Sequence, residues 1–309
     1  MGKDHMDISA ISEGLKKAGY IPDESLSTTL WLSTVLGRPL LLEGDAGVGK
    51  TSIAAALAKM HGRQLIRLQC YEGLDLQQAV YEWNYSRQLL EIRLHEHDPA
   101  RGSKEFDLFD RSFLLQRPLL QAISSTQPSV LLIDEIDRAD EAFEAYLLEV
   151  LADFQISIPE LGTVRATSIP QVILTSNGTR ELSDALRRRC LYHFVDYPAI
   201  GREIEIVKNA LPEATTQLIE SAVAFVHTLR KEDLQKIPGI AETLDWIRAL
   251  HQLKLSDLPD DPNLILMTMS CLLKTKSDQW QMSADSVTKL LGGERAGVTA
   301  GVAAGMSYV

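Results

Sequence analysis

Cysteine and long apolar runs are scarce in this sequence, and each scarcity excludes a class of protein. The 309 residues include three cysteines, Cys70, Cys190 and Cys271, which stand far apart and form no CxxC pair. This spacing suggests neither a disulfide framework nor a cysteine-bound zinc site, so we expect three reduced thiols. No stretch reaches the roughly 18 consecutive apolar residues that a membrane helix needs, and the N-terminus has no signal-peptide pattern. The sequence therefore predicts a soluble protein of the cytoplasm without a membrane segment.

Basic residues are fewer than acidic residues in this sequence, which disfavours nucleic acid as a partner. Lys and Arg number 31 against 42 Asp and Glu, so the formal net charge is -11. A protein that binds the phosphate backbone of a nucleic acid usually carries a basic surface. A single nucleotide is not excluded, because a nest of backbone N–H groups with one lysine can hold phosphates inside a negative field.

The pattern of apolar residues changes near Pro198, which indicates two domains. Residues 23–198 alternate short apolar runs with helical stretches, as in an α/β fold whose parallel sheet is flanked by helices. Residues 199–291 contain amphipathic stretches and no strand-like run, so an all-α domain is predicted there. An N-terminal segment, 1–22, precedes both. The Gly/Ala-rich tail, 292–309, is either frayed or docks on a neighbour.

The α/β part contains five apolar runs that predict buried strands. They are residues 38–43, 65–70, 130–133, 171–176 and 191–195. Helices are predicted between or beside them at residues 23–36, 51–60, 140–154 and 182–189. In the all-α part, helices are predicted around 201–211, 214–230, 241–254, 262–275 and 283–291.

Eight consecutive residues match the GxxxxGK[ST] pattern without substitution. They are Gly44, Asp45, Ala46, Gly47, Val48, Gly49, Lys50 and Thr51, and Ser52 follows them. The pattern lies between a predicted strand and a predicted helix, where its glycines let backbone N–H groups turn inward onto a phosphate. Lys50 supplies a cation to the outer phosphates, and the Thr51 hydroxyl is a natural Mg²⁺ ligand. The sequence therefore predicts that this loop binds a nucleotide with Mg²⁺.

Two adjacent acids, Asp134 and Glu135, follow the apolar run 130–133. At the carboxyl end of a strand, Asp134 can reach the coordination shell of the Mg²⁺ ion that Thr51 is predicted to bind. Glu135 points the other way because side chains alternate along a strand, and it can polarise a water molecule. Hydrolysis of a nucleotide needs both of these groups, one that binds the metal ion and one that polarises the attacking water.

Asn177 and a run of three arginines are further candidates. Asn177 ends another apolar strand, where a neutral amide can hold the attacking water or the terminal phosphate, although a turn before Gly178 explains it equally well. Arg187, Arg188 and Arg189 close a short helix and fan over most of its circumference. At least one of them therefore faces solvent or a neighbour, while pairing with the helix C-terminus accounts for one or two.

In this order the four elements resemble those of an AAA+ ATPase. The resemblance assigns residues 44–51 to Walker A, 131–135 to Walker B, Asn177 to sensor 1, and Arg188 or Arg189 to the arginine finger. It implies a P-loop NTPase core followed by an all-α lid, with ATP and Mg²⁺ as cofactors. It also implies ATP hydrolysis in a homo-oligomeric ring, a hexamer by analogy with the family.

Several segments are similar to the MoxR group within AAA+ proteins. Residues 133–139 carry the same Walker B extension, residues 154–165 read as a strand pair that precedes sensor 1, and residues 72–112 accommodate an insertion in the second helix. Residues 69–73, 81–85 and 241–246 look like the CoxD-like branch, associated with maturation of a molybdenum carbon monoxide dehydrogenase. This resemblance implies a chaperone with a client metalloenzyme and a von Willebrand A domain partner.

The resemblance fails at one position of the lid. Many MoxR proteins carry an arginine, called sensor 2, where this sequence has Thr243. Threonine cannot supply a fixed positive charge to the γ-phosphate. Arg248, one helical turn further, is either a substitute or a solvated surface residue.

Other functions remain as alternatives at this point. Relatives with the same insertions include nucleic-acid translocases and metal-chelatase-like motor subunits, although this chain has no basic stripe to track a nucleic acid. A small-molecule phosphotransferase or GTPase is a third class. No NKxD guanine-recognition sequence occurs in the chain, which disfavours the GTPase.

Overall fold

The computed structural model describes residues 7–97 and 107–292, so most of the predicted tail lies outside the described residues. Those residues form two units. The first contains the described residues of 7–18, 22–44 and 50–194, and the second contains 19–21, 45–49 and 195–292. Among the described residues no helix is long and apolar enough to cross a membrane.

The first unit is built around a parallel sheet. The strands of the chain are β1 (Leu40–Glu43), β2 (Leu65–Gln69), β3 (Tyr81–Trp83), β4 (Leu114–Gln116), β5 (Val130–Asp134), β6 (Gln155–Ile158), β7 (Gly162–Arg165), β8 (Gln171–Ser176) and β9 (Leu191–Phe194). Five of them form one sheet in the order β2-β5-β8-β1-β9. Every neighbouring pair in it is parallel, which confirms the predicted α/β fold. Each of the five strands coincides with a predicted apolar run, and the central β5, which is buried along its whole length, is the clearest case.

Eight α-helices of this unit are described. They are α1 (Ile8–Ala18), α2 (Glu24–Leu36), α3 (Lys50–His61), α4 (Leu76–Ala79), α5 (Tyr85–His97), α6 (Pro118–Ser124), α7 (Glu141–Asp153) and α8 (Asp184–Arg189). Local signals determine the ends of α2: the Asp23 carboxylate accepts a hydrogen bond from the N–H of Leu26, and Gly37 closes the helix in the left-handed conformation. The sequence did not predict α1, whose short apolar stripe consists mainly of the buried Ile11 and Leu15.

Two small antiparallel pairs accompany the sheet. β6 and β7 form the hairpin predicted over residues 154–165, immediately before β8. β3 pairs with β4 and belongs, with α4 and α5, to the predicted insertion. In that insertion Trp83 is buried, with the rings of Tyr81 and Phe109 edge-on to it.

The second unit contains helices and, among its described residues, no strand. Its helices are α9 (Ile200–Ala210), α10 (Thr216–Leu229), α11 (Ile240–Gln252), α12 (Pro262–Thr268) and α13 (Lys276–Gln281), and residues 284–292 are also helical. Phe225 and Trp246 lie in its core with ring centroids 5.2 Å apart. The single helix predicted over 262–275 is wrong: α12 passes into a 3₁₀ turn, and the Thr275 hydroxyl then caps α13.

A buried carboxylate connects α9, α10 and α11. Arg230 donates from its two terminal nitrogens to the two oxygens of Glu203 at 2.5 and 2.8 Å, and the Thr243 hydroxyl donates at 3.0 Å. His227 Nε2 lies 2.8 Å from Glu203 Oε2. Burial alone would raise the pKa of Glu203, but the hydrogen bonds from His227 and Arg230 lower it to about 2.

Glu203→Gln is expected to lower the free energy of unfolding by about 3 kcal/mol at pH 7, because it breaks a buried ion pair. The pKa of Glu203 is lower when folded than its ordinary 4.5, so its contribution is present above about pH 5 and is lost as the pH falls towards 2. Urea unfolding of both proteins at pH 7 and near pH 3 measures this. The control Glu220→Gln removes an exposed partner of Lys208 and should cost less than about 1 kcal/mol. If the two variants lowered the free energy of unfolding equally, the stabilising role of Glu203 would be contradicted.

Candidate active site

The carboxyl ends of β1, β5 and β8 lie side by side at one edge of the sheet. Gly44 follows β1, Asp134 ends β5, and Asn177 follows β8. Parallel strands present their ends at the same edge, where open α/β sheets bind ligands. The sequence-predicted residues therefore meet at this edge although they come from distant parts of the chain.

The loop between β1 and α3 has the backbone of a phosphate-binding turn. Gly47 and Gly49 have φ angles of 85° and 95°, a region that side chains with a Cβ rarely adopt. Helix α3 begins at Lys50, so the first N–H groups of the helix are free of intrahelical partners at the loop. Such a helix start attracts anions.

The ammonium of Lys50 is held at the strand ends. Lys50 is only 6% exposed. Its Nζ donates to the carbonyl oxygen of Gly44 at 2.6 Å and to Oδ1 of Asn177 at 2.8 Å. The two predicted groups, Lys50 and Asn177, are therefore in direct contact.

Thr51 and Asp134 fit a magnesium ion. The Thr51 hydroxyl lies 3.1 and 3.3 Å from the two carboxylate oxygens of Asp134. Mg²⁺ takes oxygen ligands at about 2.1 Å in octahedral geometry, in which neighbouring ligands are roughly 3 Å apart. The oxygen donors and the distances between them are therefore compatible with a bound Mg²⁺.

Two residues that sequence reasoning missed also bind the Asp134 carboxylate. The hydroxyl of Thr175 donates to Oδ1 at 2.5 Å. Arg67 on β2 donates to Oδ2 from Nε at 3.0 Å and from Nη2 at 2.6 Å. Asp134 is 3% exposed, so its charge is compensated by groups of the chain itself.

Glu135 is turned towards Asn177 by an unusual backbone conformation. Its φ of 56° is left-handed, and its N–H donates to the Thr175 hydroxyl at 2.9 Å. Its carboxylate accepts from Arg138 at 2.9 Å and from Gln69 at 3.2 Å, with the Asn177 amide at a longer 3.5 Å. A non-glycine residue in this region costs of order 1 kcal/mol, which the surrounding contacts must offset. The predicted acid therefore lies beside the predicted amide.

Asp137 holds the loop that carries Asn177 in place. Its Oδ2 accepts from the N–H of Asn177 at 3.2 Å and from the N–H and hydroxyl of Thr179 at 3.0 and 2.6 Å. Burial would raise the pKa of Asp137, but these hydrogen bonds lower it. Sequence reasoning missed this role, although Asp137 lies two residues after Glu135.

Among the residues that the structure describes, the three arginines of α8 form no side-chain contact with these site residues. Arg187 forms a 3.5 Å ion pair with Glu43, while Arg188 and Arg189 are exposed and have no side-chain partner in the described part of the chain. Arg38 donates to the backbone oxygens of Arg188, Arg189 and Cys190 instead. The helix end is thus capped by Arg38, which leaves the side chains of Arg188 and Arg189 available to a neighbour.

Thr243, at the position of the missing arginine, is fully buried and binds Glu203. Arg248 is 52% exposed and forms a surface ion pair with Asp245 at 3.0 Å. This geometry supports the surface interpretation of Arg248. Within the second unit, the N–H of Ile240 donates to the carbonyl oxygen of Gly47 at 3.1 Å.

The chain is similar to one protein family and to several known proteins. Residues 40–196 match the ATPase family associated with various cellular activities (AAA). Gas vesicle ATPase GvpN1 of Halobacterium salinarum is 27% identical over 243 residues, which cover 74% of this chain and 66% of that protein. Gas vesicle ATPase GvpN of Haloferax mediterranei is 26% identical over 210 residues, which cover 65% and 58%. The chain thus spans less than two thirds of the length of either relative.

Among solved structures, the RuvB Holliday junction branch migration motor of Thermotoga maritima is similar with a TM-score of 0.44 and 18% identity. The similarity covers 84% of this chain and 68% of that one.

Proposed function

The chain belongs to the AAA family of ATPases, and on that premise we propose that it binds ATP with Mg²⁺ and hydrolyses it to ADP and phosphate. The observation that carries this proposal is the set of contacts at the strand ends. Lys50 binds Asn177, Asn177 lies beside Glu135, and Thr51 faces Asp134. These contacts support a site in which one chain supplies the phosphate-binding, metal-binding and water-polarising groups of phosphoryl transfer.

Each side chain has a distinct role in this proposal. Lys50 and the N–H groups at the start of α3 bind the outer phosphates, and Thr51 and Asp134 hold the metal. When bound, Mg²⁺ neutralises charge on the phosphoryl oxygens. Asn177 orients a water molecule whose oxygen attacks the γ-phosphorus as the bond to ADP breaks. Glu135 accepts the proton of that water.

We further propose that hydrolysis requires a neighbouring copy of the chain in a ring, which the family resemblance makes a hexamer. The support is the exposure of Arg188 and Arg189 without partners in the described part of the chain. An arginine supplied from the next subunit would stabilise the charge that develops on the transferred phosphoryl group, an effect worth about 10³-fold or more in rate.

Arg188→Ala or Arg189→Ala is expected to lower the ATPase rate by roughly 10³-fold, with ATP binding retained. The measurement is phosphate release per molecule over a wide range of protein concentration, where the wild-type rate should rise as the ring assembles. Arg187→Ala is the matched control, because Arg187 has a partner in its own chain. If both variants kept a full rate that did not depend on concentration, the trans-acting arginine would be excluded.

The finer biological role that we propose is that of a MoxR-type chaperone in the cytoplasm. It would remodel or mature a client metalloenzyme together with a von Willebrand A domain protein. The hairpin β6–β7 before β8 and the insertion between α3 and β5 support this subgroup. Gel filtration of the Glu135→Gln variant with ATP and a von Willebrand A protein encoded beside it would test the partnership, and failure to co-elute would contradict it.

A further inference from the structure

Arg67 occupies a position on β2 from which it reaches the predicted magnesium ligand. β2 is one of the two edge strands of the sheet, and its neighbour there is β5. Its neighbours Ile66 and Leu68 are buried, so Arg67 projects from the opposite face. In the register of β2 and β5, Arg67 pairs with Leu132. Its guanidinium extends along β5 as far as the carboxylate of Asp134.

The hydrogen bonds from Arg67 occupy one of the two oxygens of the Asp134 carboxylate. Nε and Nη2 of Arg67 both donate to Oδ2, at 3.0 and 2.6 Å, while Thr175 donates to Oδ1. Thr51 approaches the same two oxygens. A metal ion bound by Thr51 and Asp134 would therefore stand within a few ångströms of a guanidinium, and two cations at that separation repel each other.

The two partners differ in how easily they can move. Asp134 is 3% exposed, whereas the side chain of Arg67 is 51% exposed. A buried carboxylate without a counter-charge is costly, so Asp134 is more stable with a cation beside it than without one. The half-exposed guanidinium regains water when it leaves, and Mg²⁺ then supplies the counter-charge of Asp134, so the exchange costs less than breaking the pair without a replacement.

We propose that Arg67 is the exchangeable counter-ion of Asp134. It neutralises the carboxylate while Mg²⁺ is absent, and it moves into solvent when Mg²⁺ arrives with the nucleotide. Arg67 thereby sets the concentration of Mg²⁺ at which nucleotide is bound. This inference rests on the proposed ATPase function, and Arg67 acts in it through Asp134 without contacting substrate.

The test is the Mg²⁺ dependence of nucleotide binding, which requires no turnover. A fluorescent, non-hydrolysable ATP analogue is titrated with Mg²⁺ in the presence of the full-length protein, and free Mn²⁺ is counted by electron paramagnetic resonance in a parallel titration. Arg67→Met keeps the apolar stem and removes the charge. It is expected to lower the half-saturating concentration of either metal roughly fivefold. Arg67→Lys, which keeps a positive charge, should stay near the wild type.

The chain offers a matched control for these variants. Arg248 is 52% exposed and pairs with a carboxylate, as Arg67 does, but outside the site. Arg248→Met should leave the metal dependence unchanged. If Arg67→Met failed to fold, Arg67→Gln would give the same comparison.

Two failures can be told apart. If the wild type bound no nucleotide at any concentration of Mg²⁺, the proposed function itself would fail. If the wild type bound nucleotide and neutral variants at Arg67 needed as much Mg²⁺ as the wild type, or more, only the role of Arg67 would be overturned.

Discussion

Glu135→Gln is expected to bind ATP with an affinity close to that of the wild type and to hydrolyse it roughly 10³-fold more slowly. Removing a positioned general base typically costs 10²- to 10⁴-fold in rate. The amide has almost the same shape as the carboxylate, so the left-handed backbone at residue 135 and the hydrogen bond from its N–H to Thr175 are retained. Single-turnover hydrolysis of radiolabelled ATP measures the rate, and equilibrium titration measures the affinity.

A second glutamate provides the control for this variant. Glu82 also forms an ion pair with an arginine, Arg117, but it belongs to the insertion and lies outside the site. Glu82→Gln should hydrolyse ATP at the wild-type rate. Unchanged turnover in Glu135→Gln would remove Glu135 from the role of base, and loss of ATP binding would show that its charge acts on the bound state instead.

Lys50→Ala is expected to weaken ATP binding by roughly 10²- to 10³-fold and to remove hydrolysis. Each charge-assisted hydrogen bond from an ammonium to phosphate contributes about 1.5–3 kcal/mol, and every 1.4 kcal/mol is tenfold in affinity. Lys50 is buried and already directed at the strand ends by Gly44 and Asn177, so little freedom is lost when phosphate binds.

The Lys50→Ala measurement is equilibrium titration with a fluorescent ATP analogue, together with thermal unfolding. The variant leaves the carbonyl oxygen of Gly44 and Oδ1 of Asn177 without this donor, which costs about 1–3 kcal/mol of stability. Lys208→Ala, at an exposed ion pair with Glu220, is the control and should change neither quantity. Wild-type affinity in a folded Lys50→Ala protein would place the phosphates elsewhere.

The sheet could be predicted from the sequence because its central strands are buried on both faces, whereas the edge strands β2 and β9 each leave residues exposed. All five residues of β5 are buried, and they are apolar up to Asp134, the first of the two adjacent acids. Lys50, Thr51 and Asp134 were predicted as site residues from local patterns, a glycine-rich loop and a strand that ends in acids. Neighbouring strands then bring these residues together without any further information.

Contacts that depend on long side chains or on neighbouring elements could not be predicted. Alternation along β2 places Arg67 opposite Ile66 and Leu68, but it does not show that the guanidinium reaches Asp134. The missing arginine at Thr243 was visible in the sequence, whereas the hydrogen bond from Thr243 to Glu203 was not. The sequence therefore identifies candidate side chains, whereas their contacts with distant residues are seen only in the structure.

The most direct test of the central claim is phosphate release from ATP by the purified wild-type protein and by Lys50→Ala, prepared in parallel and assayed with Mg²⁺. The account predicts that the wild type releases phosphate continuously, that chelating Mg²⁺ stops the release, and that the variant gives no release above background. Equal phosphate release by the two proteins, or none by the wild type at concentrations at which it assembles, would contradict the account.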